Sequence, residues 1–265
     1  LYMKSRMILN EHSLWDLLTN ADWKPLSEEF GFLPFIIGTL AVTALSILIA
    51  LPISLLSAIY LSEYAHSWTK RVIFPVLDIL AGIPSVVFGV WGTLIIVPWI
   101  ADKLGPHFVE YTSGYTVLAS GIVLGVMILP ILVSLFIEIF TIVPQDYRDA
   151  AASLGATKWQ ISTKVILRKS MPGIIAAVVL AISKAFGETI AVLMVCGNYA
   201  EIPHSLFDPC YPLPALIANN YGEMLSLPLY ESALMFAAFI LFFIILVFNL
   251  ASRMMLQHVE KKFKL

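Results

Sequence analysis

Charge is scarce in this chain. Of its 265 residues only 13% are Asp, Glu, Lys or Arg, and 16 basic against 18 acidic side chains leave a formal charge of −2. A soluble domain is about one-quarter charged, so a wholly water-facing surface is excluded. Two cysteines cannot make a disulfide framework. There is no G-x-x-x-x-G-K-[ST] phosphate loop, no metal-ligand cluster and no nucleophilic triad, so the chain has no visible means of hydrolysing ATP. Neither a catalytic role, nor a cofactor, nor a nucleic-acid partner is expected.

What is present is hydrocarbon. Hydrophobic residues make up 59% of the chain and the mean hydropathy is +0.87, which reads as an all-α integral membrane protein. A 30 Å hydrocarbon core needs about 20 apolar residues in a helix. Five runs meet that length: 33–62, 72–100, 115–143, 171–196 and 229–255. Pro52 kinks the first, a fault that neighbouring helices can absorb; Pro75, Pro84 and Pro98 argue against one straight rod in the second, and Pro130 and Glu138 interrupt the third. Gly121-x-x-x-Gly125 is a close-packing pattern. Residues 1–32 are mixed and hold no span; Ser13 to Thr19 fits either a short amphipathic helix at a membrane surface or a packing turn.

The only long polar segment between two spans is 144–170. Pro144 and Asp146 open a helix with Tyr147, Ala150, Ala151 and Leu154 at i, i+3, i+4 and i+7, and Gly155 stands where a left-handed terminal residue is wanted. Thr157 and Gln160 have capping-box spacing, so a second helix starts at once. Small alanines on the first helix let another backbone approach closely, which fits a docking element; an ordinary cytosolic helical hairpin is the alternative.

Basic residues orient the chain. Lys70, Arg71, Arg148, Lys158, Lys164, Arg168, Lys169, Arg253 and tail lysines 261, 262 and 264 gather on one side; the alternate loops hold Lys4, Arg6, Lys24 and Lys103, and the 197–228 loop holds no Lys or Arg. The positive-inside rule makes the first set cytoplasmic. Residues 1–32 then lie outside, the 144–170 hairpin inside, and 256–265 forms a basic cytoplasmic tail.

Within the spans Lys184 and Glu188 stand out. They are four positions apart, on one face of a helix near mid-span, where an ionisable group costs roughly 2.5–3.5 kcal/mol. Such groups normally face a bundle interior or an aqueous path. The lysine offers three donors and a point charge to an oxyanion while the carboxylate tempers the attraction; an ion pair used only for packing is the alternative. Asp78 and Glu138 lie nearer the cytoplasmic ends and read as structural.

Asp149-Ala150-Ala151, Gly155 and Val165-x-Leu167 resemble the EAA coupling loop of ABC importer permeases, with aspartate for the usual glutamate. Arg168 stands where that motif often has proline, so the second helix is expected to run on. Ser183 to Val192 followed by Gly197-Asn198, together with Ala81 to Val87 and Phe35 to Leu40, resembles the C-type permease of the phosphate-specific Pst importer. The resemblance covers nearly everything from Gly31 on. It implies an ABC importer permease bundle in a prokaryotic inner membrane, beside a second homologous permease, an ATP-binding subunit dimer and an external phosphate-binding protein. It assigns Lys184 and Glu188 to the substrate path and Asp149, Ala150, Ala151 and Gly155 to ATPase coupling. In that family arginine usually stands at the Lys184 position, and a point charge in place of a bidentate fork keeps another oxyanion open as substrate. A non-ABC channel or an assembly subunit is the rival class.

Two expectations concern the outside. Cys196 and Cys210 are placed there and are read either as a disulfide or as two thiols. A chain that begins outside needs a means of crossing, and the resembled family supplies a first helix, so a sixth span upstream of Leu1 is expected.

Overall fold

The computed structural model describes residues 3–222 and 228–263. Two short helices open the chain, α1 (Arg6–Glu11) and α2 (Leu14–Thr19), followed by an antiparallel ribbon of β1 (Trp23–Lys24) and β2 (Glu29–Phe30). Then come α3 (Leu33–Tyr64), α4 (Ser67–Gly82), α5 (Ser85–His107), α6 (Val117–Ile142), α7 (Gln145–Ser153), α8 (Lys158–Lys169), α9 (Met171–Gly187), α10 (Ile190–Leu193), α11 (Leu213–Asn220) and α12 (Pro228–Phe263). By length and composition α3, α5, α6 and the Pro228–Met254 part of α12 can each cross a bilayer, and the bent pair of α8 with α9 brings the number to five if it is counted as one span.

Three boundaries differ from expectation. The run 72–100 is two helices: Ile83 takes φ −65°, ψ 129° and ends α4, because Pro84 pushes its predecessor out of the helical region. The run 171–196 stops at Gly187, and a separate short helix resumes at Ile190. The second helix of the polar hairpin passes Arg168 as expected, then turns by 69° after Lys169, just ahead of Pro172. Pro52 and Pro130, by contrast, sit inside continuous helices. The expected tail over 256–265 continues α12 as far as Phe263, and residues 264 and 265 lie outside the described residues.

The chain divides into two compact units. The first comprises Leu1–Ser46, Pro84–Gly125 and Lys184–Leu246. Its N-terminal segment is anchored by aromatics: the Trp23 ring lies 5.6, 5.3 and 4.9 Å from those of Phe30, Phe32 and Phe35, and Phe32 lies 5.4 Å from Phe236. Edge contacts at such distances contribute about 0.5–1.5 kcal/mol each beyond burial. The stretch from Leu14 to Thr19 is helical, with Leu17 of α2 buried and Leu14 and Trp15 exposed. A helix start leaves unpaired N–H groups, and those of α6 are met by the loop before α11. Val117 N–H donates to Asp208 O at 3.0 Å and Leu118 N–H to Leu206 O at 2.9 Å. Thr39 on α3 accepts from Leu213 N–H at 2.8 Å, fixing the start of α11.

The second unit comprises Ile47–Ile83, Val126–Ser183 and Val247–Leu265. Its fully buried side chains include Ile128, Leu132, Phe136, Phe140 and Ile166. Gly173 of α9 packs against α6, since a Cβ there would fall 2.8 Å from Ile139 Cγ2.

Candidate functional site

The polar hairpin forms as its residues dictate. Gly155 has φ +79°; its N–H donates to Ala152 O at 2.9 Å and Ala156 N–H donates to Ala151 O at 3.1 Å, closing α7 with a left-handed cap. No atom lies within 4 Å of where a Gly155 Cβ would stand, so glycine is required by backbone conformation and not by space. Thr157 and Gln160 form the predicted box, with Gln160 N–H on Thr157 Oγ1 at 3.3 Å and Thr157 N–H on Gln160 Oε1 at 2.9 Å.

Across that turn the surface is open. No residue of α7 is buried; Leu154 is 89% exposed and Trp159 57% exposed. Asp149, Ala150 and Gly155 are exposed and Ala151 is half-buried, so the four expected coupling positions share one accessible segment. Asp149 accepts from Gln145 Nε2 at 2.9 Å, a bond inside the same helix.

Arg148 ties this segment down, and sequence reading did not find it. Its Nη2 and Nε donate to the two carboxylate oxygens of Glu63 at 3.0 and 3.4 Å. Nη1 donates to Val143 O at 2.5 Å and Nη2 also to Phe140 O at 3.0 Å. One guanidinium therefore caps the terminal carbonyls of α6 and binds the end of α3. The pair is only 15% and 16% exposed. Glu63 is 85 positions away in sequence, and no local pattern announces it.

The second candidate lies in the first unit. Gly187 ends α9, so Lys184 and Glu188 do not share a helical face as expected. Lys184 lies in the last turn of α9, where a cation suits the carbonyl end of the dipole. Glu188 lies beyond that end, and its Oε1 accepts from Ala191 N–H at 3.3 Å, at the start of α10. Each charge complements a different helix terminus. Among the described residues they form no ion pair, and Lys184 is exposed with no hydrogen-bond partner.

The short helix after this break packs tightly on α5. A Cβ at Gly89 would fall 2.6 Å from Met194 Sδ and 3.3 Å from Ala191 Cα, and Thr93 Oγ1 donates to Met194 O at 3.1 Å. The small residue in the Ala81 to Gly92 run is thus a close-approach site. Gly197 and Asn198 have φ +90° and +55° and close the far end, with Asn198 Nδ2 donating to Leu193 O at 3.0 Å. A neutral cavity of about 340 Å³ adjoins them, lined by Tyr115, Met194, Asn198 and Tyr199 among others, but neither Lys184 nor Glu188 reaches it. Cys196 and Cys210 are buried free thiols on adjoining backbone, with Cys210 N–H donating to Cys196 O at 2.8 Å.

Comparison with known proteins gives the family and the fold. The profile of the family described as "Binding-protein-dependent transport system inner membrane component" matches residues 50–265. The phosphate transport system permease protein PstC of Pasteurella multocida is 35% identical over 262 residues, covering 94% of this chain and 81% of that protein. A probable ABC transporter permease of Bacillus subtilis, YqgH, is 39% identical, covering 93% and 80%. In solved structures the fold is similar to an inward-facing MetNI methionine ABC transporter chain, with TM-score 0.61, 17% identity and coverage of 90% and 99%. A bacterial alginate ABC transporter bound to its periplasmic protein gives TM-score 0.56 at 17% identity, covering 96% and 95%.

Proposed function

The chain belongs to the family of binding-protein-dependent transport system inner membrane components, and from that premise we propose that it is the permease subunit that carries inorganic phosphate into the cytoplasm. It is a multi-pass inner-membrane protein of the ABC importer class. ATP is hydrolysed by a separate pair of ATP-binding subunits, a second homologous permease completes the path, and an external phosphate-binding protein delivers the ion.

The observation that carries this reading is the helix ending at Gly187, with an exposed Lys184 that has no hydrogen-bond partner among the described residues in its last turn and a Glu188 carboxylate holding a backbone N–H just past the break. An ammonium with vacant donors can take oxyanion oxygens in charge-assisted hydrogen bonds. Glu188 limits that attraction, so the ion is drawn in and then released. Coupling falls to α7, Gly155 and the start of α8, where Asp149, Ala150, Ala151 and Gly155 meet the ATPase. The relatives' printed phosphate role supports the choice of ion.

The test is reconstitution of the complete transporter in vesicles with its binding protein. Phosphate is expected to stimulate ATP hydrolysis and to accumulate, with sulfate failing to compete. Stimulation by a different oxyanion and not by phosphate would reassign the substrate; no ATP-dependent uptake of any oxyanion would remove the importer reading.

A further inference from the structure

The bend between α8 and α9 leaves one polar atom unaccounted for. Ser170 stands there 3% exposed, and its hydroxyl is the buried side-chain polar atom that has no hydrogen-bond partner among the described residues. A hydroxyl withdrawn from water without a partner is destabilising, and in a native chain such an atom usually marks an absent ligand, ion or water. Ser170 borders a cavity of about 420 Å³ within the second unit. Lys169 and Tyr147 form its polar side, with the ammonium 4.7 Å from the centre of the tyrosine ring. Ile139, Ile142 and Val143 form the other, and Ile142 is 73% exposed at the last position of α6.

An ammonium and an apolar wall in one hollow, bordered by a serine whose buried O–H has no partner among the described residues, describe a particular ligand. The donors want an anion rich in acceptor oxygens. The isoleucines, at the end of a spanning helix on the Lys- and Arg-rich side, want hydrocarbon. Lys164 and Arg168 add exposed positive charge on the same helix. A phosphate group satisfies the donors whether it is free or esterified, but only an ester brings apolar substance for Ile139 and Ile142. Basic pockets between spanning helices on the cytoplasmic side are suited to anionic headgroups.

We propose that this cavity binds the phosphate of an anionic phospholipid from the cytoplasmic leaflet. Ser170 Oγ and Lys169 Nζ donate to its oxygens, and an acyl chain lies along Ile139 and Ile142. The leaflet follows from the distribution of basic residues; the site is independent of which ion the protein transports.

The complete transporter, in nanodiscs of equal parts phosphatidylglycerol and phosphatidylcholine, provides the test. Native mass spectrometry of the released complex is expected to show phosphatidylglycerol retained in preference. Ser170→Ala and Lys169→Gln are each expected to weaken that retention about tenfold, the loss of one charge-assisted hydrogen bond. Ser170→Ala should leave thermal stability measured without phosphatidylglycerol unchanged or slightly raised, because the hydroxyl has no protein partner to lose and its burial is unfavourable. Acylation of Lys169 supplies the second arm: phosphatidylglycerol should protect the amine, whereas sodium phosphate added to phosphatidylcholine-only nanodiscs should not. Equal retention in parent and variants overturns the site. Protection by sodium phosphate alone overturns the lipid as its source, and protection that follows the ATPase subunits regardless of phosphatidylglycerol overturns it in favour of a protein contact.

Discussion

Arg148 in the second unit and Lys184 in the first are both cations at the carbonyl end of a spanning-length helix or its bent continuation, α6 and α9, and they are treated in opposite ways. Arg148 is largely buried and its donors are spent on both oxygens of Glu63 and on the carbonyls of Phe140 and Val143. Lys184 is exposed and spends none among the described residues. A cation with its donors occupied holds a scaffold together; one with vacant donors is available to something that comes and goes. Charge and position are similar in the two cases, so the hydrogen-bond inventory is what separates structural from transport candidates here.

The contrast can be broken most severely at the filled site. Arg148→Met strands a largely buried carboxylate and two helix-end carbonyls, at a cost of about 3 kcal/mol. The expected result is a clear drop in the melting temperature of the purified complex, with Arg148→Lys intermediate because a point charge cannot serve both carboxylate oxygens and the carbonyls. At the open site the pattern reverses. Lys184→Gln should leave melting unchanged and lower phosphate uptake by roughly tenfold to a hundredfold, the value of a charge-assisted hydrogen bond. Lys184→Arg should retain uptake. A Lys184→Gln protein that melts early and transports normally would turn the comparison upside down.

Smaller effects sharpen it. Gly155→Val forces a β-branched residue to φ +79° at a cost of about 1–2 kcal/mol, and is expected to weaken co-purification with the ATPase while the spans still insert. Gly155→Asn should stay near the parent, since space is free and asparagine tolerates that region. The thiols come next. Cys210 is held well above the usual thiol range by its hydrogen bond with Cys196 and by burial, so it should resist alkylation in the folded protein at mildly alkaline pH. Intact mass after denaturation and alkylation without reductant should show both thiols modified; an unmodified pair two hydrogens lighter would mean a disulfide. Least is expected of Lys4, whose pKa is raised by its hydrogen bond to Glu231. Its stabilising effect is complete below the ordinary lysine pKa of 10.5 and fades as pH climbs through the raised value. Melting of Lys4→Met should therefore match the parent's pH dependence at every pH below that range.

Local features were legible in the sequence, and long-range ones were not. The left-handed cap at Gly155 and the Thr157–Gln160 box involve neighbours a few positions apart, and both stand as read. The break at Pro84 was announced by its proline, but hydrophobicity on both sides ran the two helices together in the reading of 72–100. Glu188 was placed on the Lys184 face because spacing implies a face only while the helix continues, and Gly187 ends it. The Phe32–Phe236 ring contact and the Glu63–Arg148 pair join residues far apart in sequence. Residues 1–32 looked merely mixed because their apolar partners, such as Phe236 against Phe32, lie elsewhere.

One consequence follows from the loop that pairs with the start of α6. Val117 and Leu118 have given their N–H groups to Asp208 and Leu206, Cys210 has given its own to Cys196, and Asp208 Oδ2 already receives those of His204 and Ser205 at 2.9 and 2.8 Å. These donors offer no free edge for a visiting strand to extend. A protein docking on this face finds these N–H groups already spent and meets exposed side chains instead, Tyr199 and Leu206 among them, 54% and 48% exposed. Recognition there becomes a matter of shape and of which side chains stand up from a closed backbone, so it can diverge between related transporters by point substitution without disturbing the loop that carries it.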